Sequence, residues 1–385
     1  MVIQIAWQAQ AGKVRIVSSI LVVLALAACE PRGSVVVDPA AARSGRIETL
    51  FIGTTRGADT ATGEAFGKVR SPVTRFVRID VAIPPQHVTG EISWPEPNRP
   101  ADPATDFLAV QQKIYADANS FRADLGAELV RNPRRQREAV VFVHGFNNNF
   151  AEGAYRLAQI GNDIGIEGAL VHYSWPSRAN PLGYAYDRDS ALFARDGLET
   201  LLREVAAAGA ERILIVAHSM GSSLTMETLR QIALRDEGKL LDRVSGVMLV
   251  SPDIDVDVFR AQAERIGDLP QPFVIFSSKR DRALALSARL TGQRDRLGNV
   301  GDVTELADLK VTLLDTTAFS KGSGHFNPGE SPALIAILGR LAEVDSAFAQ
   351  DRTGRTGLLP GAVLTVQNAT QVVLSPVTAI SQIQP

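Results

Sequence analysis

Short apolar runs rich in β-branched and aromatic residues recur along the chain from residue 47 onward. In the later part of the chain they alternate with stretches of helical periodicity, at residues 187–208, 224–235 and 256–265. Strands that alternate with helices predict a mostly parallel α/β sheet with helices on both faces. The predicted strands lie at residues 50–52, 76–83, 140–143, 169–173, 213–217, 244–250, 273–276 and 309–314.

The first two runs differ from the rest because no helical pattern separates them. The second of them ends in Pro84 and Pro85. Proline has no N–H to donate to a neighbouring strand and is tolerated mainly at sheet edges. The sequence therefore predicts that these two strands are antiparallel and lie at the edge of the sheet.

The amino terminus carries a separate signal. Residues 16–28 contain no charge, follow Lys13 and Arg15, and end directly before Cys29. A run this short cannot cross a bilayer, which needs about 20 apolar residues, and the pattern is typical of a secretory signal. Residues 26–29 also resemble the bacterial lipobox, whose cysteine receives a diacylglycerol. Cys29 is the sole cysteine of the chain, which rules out an intramolecular disulfide.

A lipidated Cys29 would anchor the mature chain in a membrane of the bacterial cell envelope, facing the periplasm. Glu30 is not an inner-membrane retention signal, which favours the outer membrane. A plain signal peptide or a short buried helix is the alternative. The predicted segments are a signal peptide over residues 1–28, a tether over 29–46, an α/β domain over 47–349 that ends in a helix at 331–349, and a poorly ordered tail over 350–385.

Composition narrows the function classes. The chain has 385 residues, of which 45% are hydrophobic, and a formal net charge of -2 from 40 basic and 42 acidic side chains. This is an ordinary globular composition, and the near-neutral balance argues against a nucleic-acid partner. No cluster of histidines and acids has the spacing of metal ligands, so neither a metal nor another cofactor is expected. The oligomeric state stays open.

The apolar run at residues 213–217 leads into His218, Ser219, Met220 and Gly221, and a helical pattern follows. This is the layout of the nucleophile elbow, G-x-S-x-G, with Ala217 at the first glycine position. The flanking residues must be small because the serine occupies a strained turn between strand and helix. Ser219 is therefore the predicted nucleophile.

A serine hydroxyl needs a base to take its proton, normally histidine. His325 lies in a glycine-rich loop after the last predicted strand, and in the chain order serine, acid, histidine the base comes last. We therefore expect His325 to be the base. The remaining histidines are expected to be upstream of the site, part of a different motif, or packed in the structure: His87, His144, His172 and His218.

The acid of a triad accepts a hydrogen bond from the second N–H of the imidazole. Asp281 follows the predicted strand at residues 273–276 and is the favoured acid. Asp253, one strand earlier, is the rival. The D-x-D-x-D spacing that begins at Asp253 also suggests a calcium loop, but Val258 stands where such a loop needs glycine. Asp255 is read as a helix N-cap.

Two backbone N–H groups should hold the negative oxygen of the tetrahedral intermediate. Met220, directly after the nucleophile, is one predicted donor, and Phe146, in the loop after residues 140–143, is the other. Gly145, Asn147 and Trp175 are candidates to line the substrate site. A core position for Trp175 and an N-cap role within residues 147–149 are the alternatives.

Taken together, these motifs resemble the α/β-hydrolase superfamily, and more narrowly the bacterial family called domain of unknown function 900. The likeness covers nearly all of residues 47–349. It implies an eight-stranded hydrolase sheet and a triad of Ser219, Asp281 and His325, but no particular substrate. The segments that carry it are residues 51–56, 81–85, 143–147, 173–177, 217–221 and 251–255.

The sequence thus predicts a lipid-anchored serine hydrolase that cleaves a small-molecule or lipid carboxylic ester through an acyl-enzyme on Ser219. Amide and thioester cleavage use the same groups and stay open. The alternative is a lipid-tethered scaffold or binding protein that keeps the fold without turnover, because fold alone does not prove activity. A phosphatase or metal hydrolase is disfavoured by the lack of a ligand cluster.

Overall fold

The alternating apolar runs form one sheet. Its strands, among the residues that the structure describes, are β1 (Arg46–Arg56), β2 (Arg70–Ile83), β3 (Leu108–Ile114), β4 (Glu138–Val143), β5 (Ala169–Ser174), β6 (Arg212–His218), β7 (Val244–Val250), β8 (Phe273–Ser277), β9 (Thr312–Asp315), β10 (Ala362–Asn368) and β11 (Gln371–Pro376). The order across the sheet of eleven strands is β11-β10-β9-β8-β7-β6-β4-β5-β1-β2-β3.

Helices connect most of the parallel strands. They are α1 (Ala118–Leu129), α2 (Phe150–Ile164), α3 (Tyr184–Ala207), α4 (Met220–Arg235), α5 (Val256–Ile266) and α6 (Arg282–Leu290). Asn149 begins α2 with a capping box to Glu152, and Asp255 caps α5 as predicted. Short 3-10 turns lie at Pro39–Arg43, Leu241–Arg243, Leu297–Asn299, Val303–Leu306 and Thr317–Phe319.

The computed structural model describes residues 32–60, 63–131, 137–235, 239–292, 295–319, 324–325, 329–330, 332, 335, 362–368 and 371–376. The chain divides into two compact units, Met1–Gly33 and Ser34–Pro385. The predicted signal peptide, Cys29 and most of the predicted helix at residues 331–349 lie outside the described residues. In the described ranges, no helix has the length and apolar character needed to cross a membrane.

In the order across the sheet, the strands are parallel from β10 to β1 and antiparallel at both edges. β1 pairs in parallel with β5 but antiparallel with β2, as predicted for the first two runs. β3 pairs antiparallel with β2 and occupies the outermost position, which the sequence analysis misses. Only the first residues of β3 are buried, so the strand lacks the apolar run by which the others are found.

Alternate residues of each central strand face opposite sides of the sheet. Phe51 packs on one side with α3 residues such as Leu198. Leu50 and Ile52 pack on the other side with α2 residues such as Ala154. Both faces are therefore covered by helices, which confirms the predicted α/β fold class.

The carboxyl-terminal tail differs from the expectation of a poorly ordered segment and of an eight-stranded sheet. β10 pairs in parallel with β9 and antiparallel with β11, so the tail adds two strands. Both strands are rich in β-branched residues, which favour extended backbone.

His172 is a core residue of β5, as predicted. Its side chain is completely buried, and Nδ1 lies 3.0 Å from the carbonyl oxygen of Phe142. Burial lowers the pKa of His172 to about 3, so the imidazole stays neutral in the folded protein at neutral pH.

This burial should make the fold sensitive to acid. The unfolded imidazole binds a proton below about pH 6.5 while the folded one does not, so stability is full above that value and falls as the pH decreases towards 3. Between pH 7 and pH 5 we expect His172 to account for a loss of about 2 kcal/mol. When the pH is lowered from 7 to 5, the free energy of unfolding of His172→Gln, measured in urea, should fall by about 2 kcal/mol less than that of the wild type. An equal fall in the two proteins would contradict a neutral buried imidazole.

Candidate active site

Ser219 forms the tip of a sharp turn between β6 and α4. Its backbone φ of 51° lies in the left-handed region, which is rare for serine and typical of a nucleophile elbow. The Ser219 N–H donates to the carbonyl oxygen of Val250 at 2.9 Å, and its own carbonyl accepts from Ser222 at 3.0 Å and Asp253 at 3.2 Å. These bonds hold the strained backbone in place.

His325 and Asp281 form a hydrogen-bonded pair at the carboxyl end of the sheet. The imidazole Nδ1 donates to Asp281 Oδ2 at 2.8 Å. The other carboxylate oxygen, Oδ1, accepts the N–H of Leu284 at 2.9 Å and so caps α6. Asp281 is fully buried as a side chain, while His325 is about one-fifth exposed.

Gly324 permits this pairing. Its φ is +73°, and a Cβ atom there would lie 2.0 Å from the carbonyl oxygen of Arg280. Only glycine allows the histidine loop to approach the backbone beside Asp281 this closely.

The ring of His325 also lies beside the elbow. Its centroid is 5.1 Å from that of His218, the residue directly before Ser219. Because Nδ1 is engaged by Asp281, Nε2 is the ring nitrogen suited to accept a serine proton. The structure therefore brings the predicted nucleophile, base and acid to one place.

Asp253, the rival acid, belongs to a different network. Its carboxylate accepts hydrogen bonds from Tyr184 at 2.8 Å and Ser287 at 2.6 Å, and Arg296 Nε lies 3.2 Å away. The Tyr184 and Ser287 hydroxyls are themselves 2.6 Å apart. This network ties the start of α3 to α6, and the described partner of the His325 imidazole is Asp281.

The loop after β4 contacts the elbow directly. A Cβ atom on Gly145 would lie 3.0 Å from Ser219 Cβ and 2.6 Å from His218 Nδ1. Phe146 follows in this loop and packs edge-on against Tyr184, with ring centroids 5.6 Å apart. Met220 begins α4, where the first N–H groups have no intrahelical acceptor. The two segments expected to supply N–H donors therefore meet at Ser219.

A buried arginine, for which the sequence predicted no role, also contacts this loop. Arg56, at the end of β1, is 1% exposed and donates to Asn148 O at 2.8 Å. It also donates to Ser174 Oγ at 2.9 Å, Ser177 O at 3.0 Å and Gly67 O at 3.1 Å. Burial lowers the pKa of Arg56 to about 10, so the guanidinium remains charged at neutral pH.

Asp187, in the first turn of α3, holds the same loop from another side. Its carboxylate accepts the Ser177 hydroxyl at 2.5 Å, the Arg178 N–H at 2.7 Å and, more weakly, the Asn147 N–H at 3.5 Å. Burial raises the pKa of the Asp187 carboxyl, and the hydrogen bonds that it accepts, followed by the charge of Arg56, oppose that rise. Arg56 and Asp187 together position residues 147 and 148.

The remaining predicted residues are packed in the structure. Trp175 is completely buried, stacks on His144 with centroids 4.9 Å apart and donates Nε1–H to His144 O at 2.7 Å. It therefore has no surface with which to line an open substrate site, and the core alternative describes it. Burial also lowers the pKa of His144 well below its usual range. His87 pairs with Asp163 at 2.5 Å.

A signal for Arg56 does exist in the sequence. It ends the run of residues 51–56, in which no other side chain is charged. Such a residue at the carboxyl end of a strand lies at the edge where α/β sheets bind ligands.

Among the residues that can be described, no three His, Cys, Asp or Glu side chains are grouped to hold a metal ion.

A family model described as alpha/beta hydrolase of unknown function (DUF900) matches residues 117–341. The chain belongs to this family. The resemblance predicted from the sequence is therefore confirmed for DUF900. No curated protein matches the chain significantly.

Solved structures similar to this DUF900 chain have low identity. A CIB-like hydrolase of Thermoplasma acidophilum is 19% identical, with a TM-score of 0.35 over 55% of this chain and 89% of that chain. A monoacylglycerol lipase of Paleococcus ferrophilus is 12% identical, with a TM-score of 0.35 over 54% of this chain and 94% of that one. Esterase 2 of Thermogutta terrifontis is 11% identical, with a TM-score of 0.30 over 71% and 90%.

Removal of the Arg56 guanidinium should destabilise the protein strongly. Arg56→Met removes the side-chain donor to the carbonyl oxygens of Gly67, Asn148 and Ser177. We expect a loss of at least about 3 kcal/mol in the free energy of unfolding, measured by urea denaturation. Arg203→Met, which removes a half-exposed pair with Glu199, should cost less than about 1 kcal/mol. Equal losses in the two variants would contradict a bracing role.

Proposed function

We propose that this DUF900 protein is a serine hydrolase that cleaves carboxylic esters. The observation that carries the proposal is the 2.8 Å hydrogen bond from His325 to the buried Asp281, beside a serine with positive φ. A carboxylate that holds Nδ1 fixes the tautomer in which Nε2 accepts a proton. A scaffold without turnover would need neither the strained serine nor the oriented histidine.

In the proposed reaction His325 Nε2 takes the Ser219 proton while Oγ attacks the ester carbonyl. The N–H groups of Met220 and Phe146 donate to the oxygen that becomes negative. The intermediate then expels the alcohol, which receives the proton from His325, and leaves an acyl group on Ser219. Water, deprotonated by His325, attacks the acyl-enzyme and releases the acid by the same steps in reverse.

The substrate class of the proposal is a small-molecule or lipid ester. Arg56 and Asp187 support the proposed hydrolase reaction, because they hold the loop of Phe146 in one arrangement before substrate binds. Donors that are preorganised in this way stabilise a transition state best. Asp187 and Arg56 would act as positioning residues, since their hydrogen bonds hold residues 147 and 148 of this loop.

Loss of the nucleophile tests the enzyme directly. Ser219→Ala should not react with a fluorophosphonate probe, and its kcat on a p-nitrophenyl ester should fall by at least about 10⁴-fold. The wild type should be labelled at Ser219, as mass spectrometry of the tryptic peptide would show. A folded wild type that neither reacts nor turns over any ester would favour the scaffold alternative.

The two acids can be separated by matched variants. Asp281→Asn keeps an N-cap for α6 but leaves the imidazole without its carboxylate, so kcat should fall by about 10³-fold or more. Asp253→Asn alters the Tyr184 and Ser287 network and should lower kcat by less than about tenfold. Circular dichroism checks that both fold. A larger kcat loss in Asp253→Asn would instead assign the role of the acid to Asp253, which follows the preceding strand.

We also propose that the chain is anchored to a membrane of the bacterial cell envelope by a lipid on Cys29, with the domain facing the periplasm and the outer membrane as the favoured site. Support comes from the short apolar run before the sole cysteine. Because serine cannot form the thioether, Cys29→Ser should move the protein from the detergent phase to the aqueous phase in Triton X-114 partitioning. Unchanged partitioning would exclude the lipid anchor.

A further inference from the structure

One face of α6 is apolar and exposed to solvent. Leu286 and Leu290 are 57% and 64% exposed and lie one turn apart, so their side chains are neighbours. Arg282 and Arg289 are also exposed, and the spacing of all four residues puts them on the same face of the helix. The opposite face buries Leu284 and Ala288 against the domain.

The charge of this segment differs from that of the whole chain. Between residues 279 and 292 the exposed charged side chains are four cations, Lys279, Arg280, Arg282 and Arg289, whereas the complete chain has a formal net charge of -2. The single acid in this stretch, Asp281, is buried. Within the described part of the chain, none of the four cations forms an ion pair. The positive charge is therefore concentrated and directed outward.

This face borders the candidate active site. α6 begins directly after Asp281, whose carboxylate holds His325. Ser287, on the same helix, is 2.6 Å from the Tyr184 hydroxyl, which joins α6 to the start of α3. Two residues before Tyr184 lies Leu182, which is 94% exposed. We call Leu182, Arg282, Leu286, Arg289 and Leu290 the rim surface.

We propose that the rim surface docks onto the surface of a membrane that contains anionic phospholipid. Leucine side chains that lie at a lipid headgroup boundary leave water, while arginines beside them contact phosphate groups. Docking in this orientation brings the start of α6, where Asp281 pairs with His325, close to the lipid. The inference concerns binding, so it holds whether or not Ser219 turns over a substrate.

A bilayer fits this surface better than an acidic protein or nucleic acid. An acidic polymer needs cations only, and binding to it gains nothing from Leu182, Leu286 or Leu290. Exposed leucines that alternate with arginines on one helix face are instead typical of interfacial helices. The attraction should weaken with ionic strength because the charges are exposed.

The test uses the full chain with Cys29→Ser and Ser219→Ala, which prevents both lipidation and turnover. Since Cys29 is the sole cysteine, Leu286→Cys then introduces a single thiol that can carry an NBD fluorophore. With vesicles of phosphatidylglycerol and phosphatidylcholine in equal amounts, NBD emission at position 286 should shift to the blue and be quenched by doxyl-labelled lipid. The same label at Leu234→Cys, an exposed position on α4, should stay in water.

Two further comparisons make the assignment specific. Arg282→Glu with Arg289→Glu should reduce the vesicle affinity reported at position 286 by at least about tenfold, as should pure phosphatidylcholine. An unshifted label at 286, an equal shift at 234, or equal binding to pure phosphatidylcholine would overturn the proposal. Binding to heparin without any shift at 286 would assign the surface to an acidic polymer instead. Because the readout is independent of Ser219, its failure cannot be confused with failure of the hydrolase proposal.

Discussion

Burial of one guanidinium is the constraint on which the carboxyl edge of the sheet depends. Arg56 is almost completely shielded from water. Burial of a charged group costs free energy unless hydrogen-bond acceptors in the protein replace the lost water. Here the acceptors come from three separate segments, represented by Gly67, Asn148 and the pair Ser174 and Ser177. The loops at this edge can therefore take only the arrangement that satisfies Arg56.

This constraint matters for chemistry because the loop it holds contains Phe146. A backbone N–H stabilises a developing charge best when it is already aimed at it and does not need to reorganise. Asn148 is held through its carbonyl by Arg56 and Asn147 through its N–H by Asp187, so the loop is fixed at two successive residues. Gly145 keeps the same loop against Ser219 without a side chain between them.

What the sequence could predict is what depends on neighbours along the chain. The elbow at Ser219 and the strands beside it have local signatures, and the chain order pointed to His325 as the base, with Asp281 favoured as the acid and Asp253 kept as its rival. The bracing by Arg56 could not be predicted, because its acceptors are up to 121 residues away and most of them are backbone oxygens. β3 was missed because most of it is exposed. The strands of the tail were missed although both are rich in β-branched residues.

The carboxylate of Asp281 has two tasks at once. One oxygen caps α6 and the other orients His325, so the position of the helix and the direction of the imidazole share a single side chain. A force that tilts α6 also rotates that carboxylate. Mechanical coupling of this kind would let whatever touches the outer face of the helix alter the alignment of the proton acceptor, without any contact with Ser219 itself.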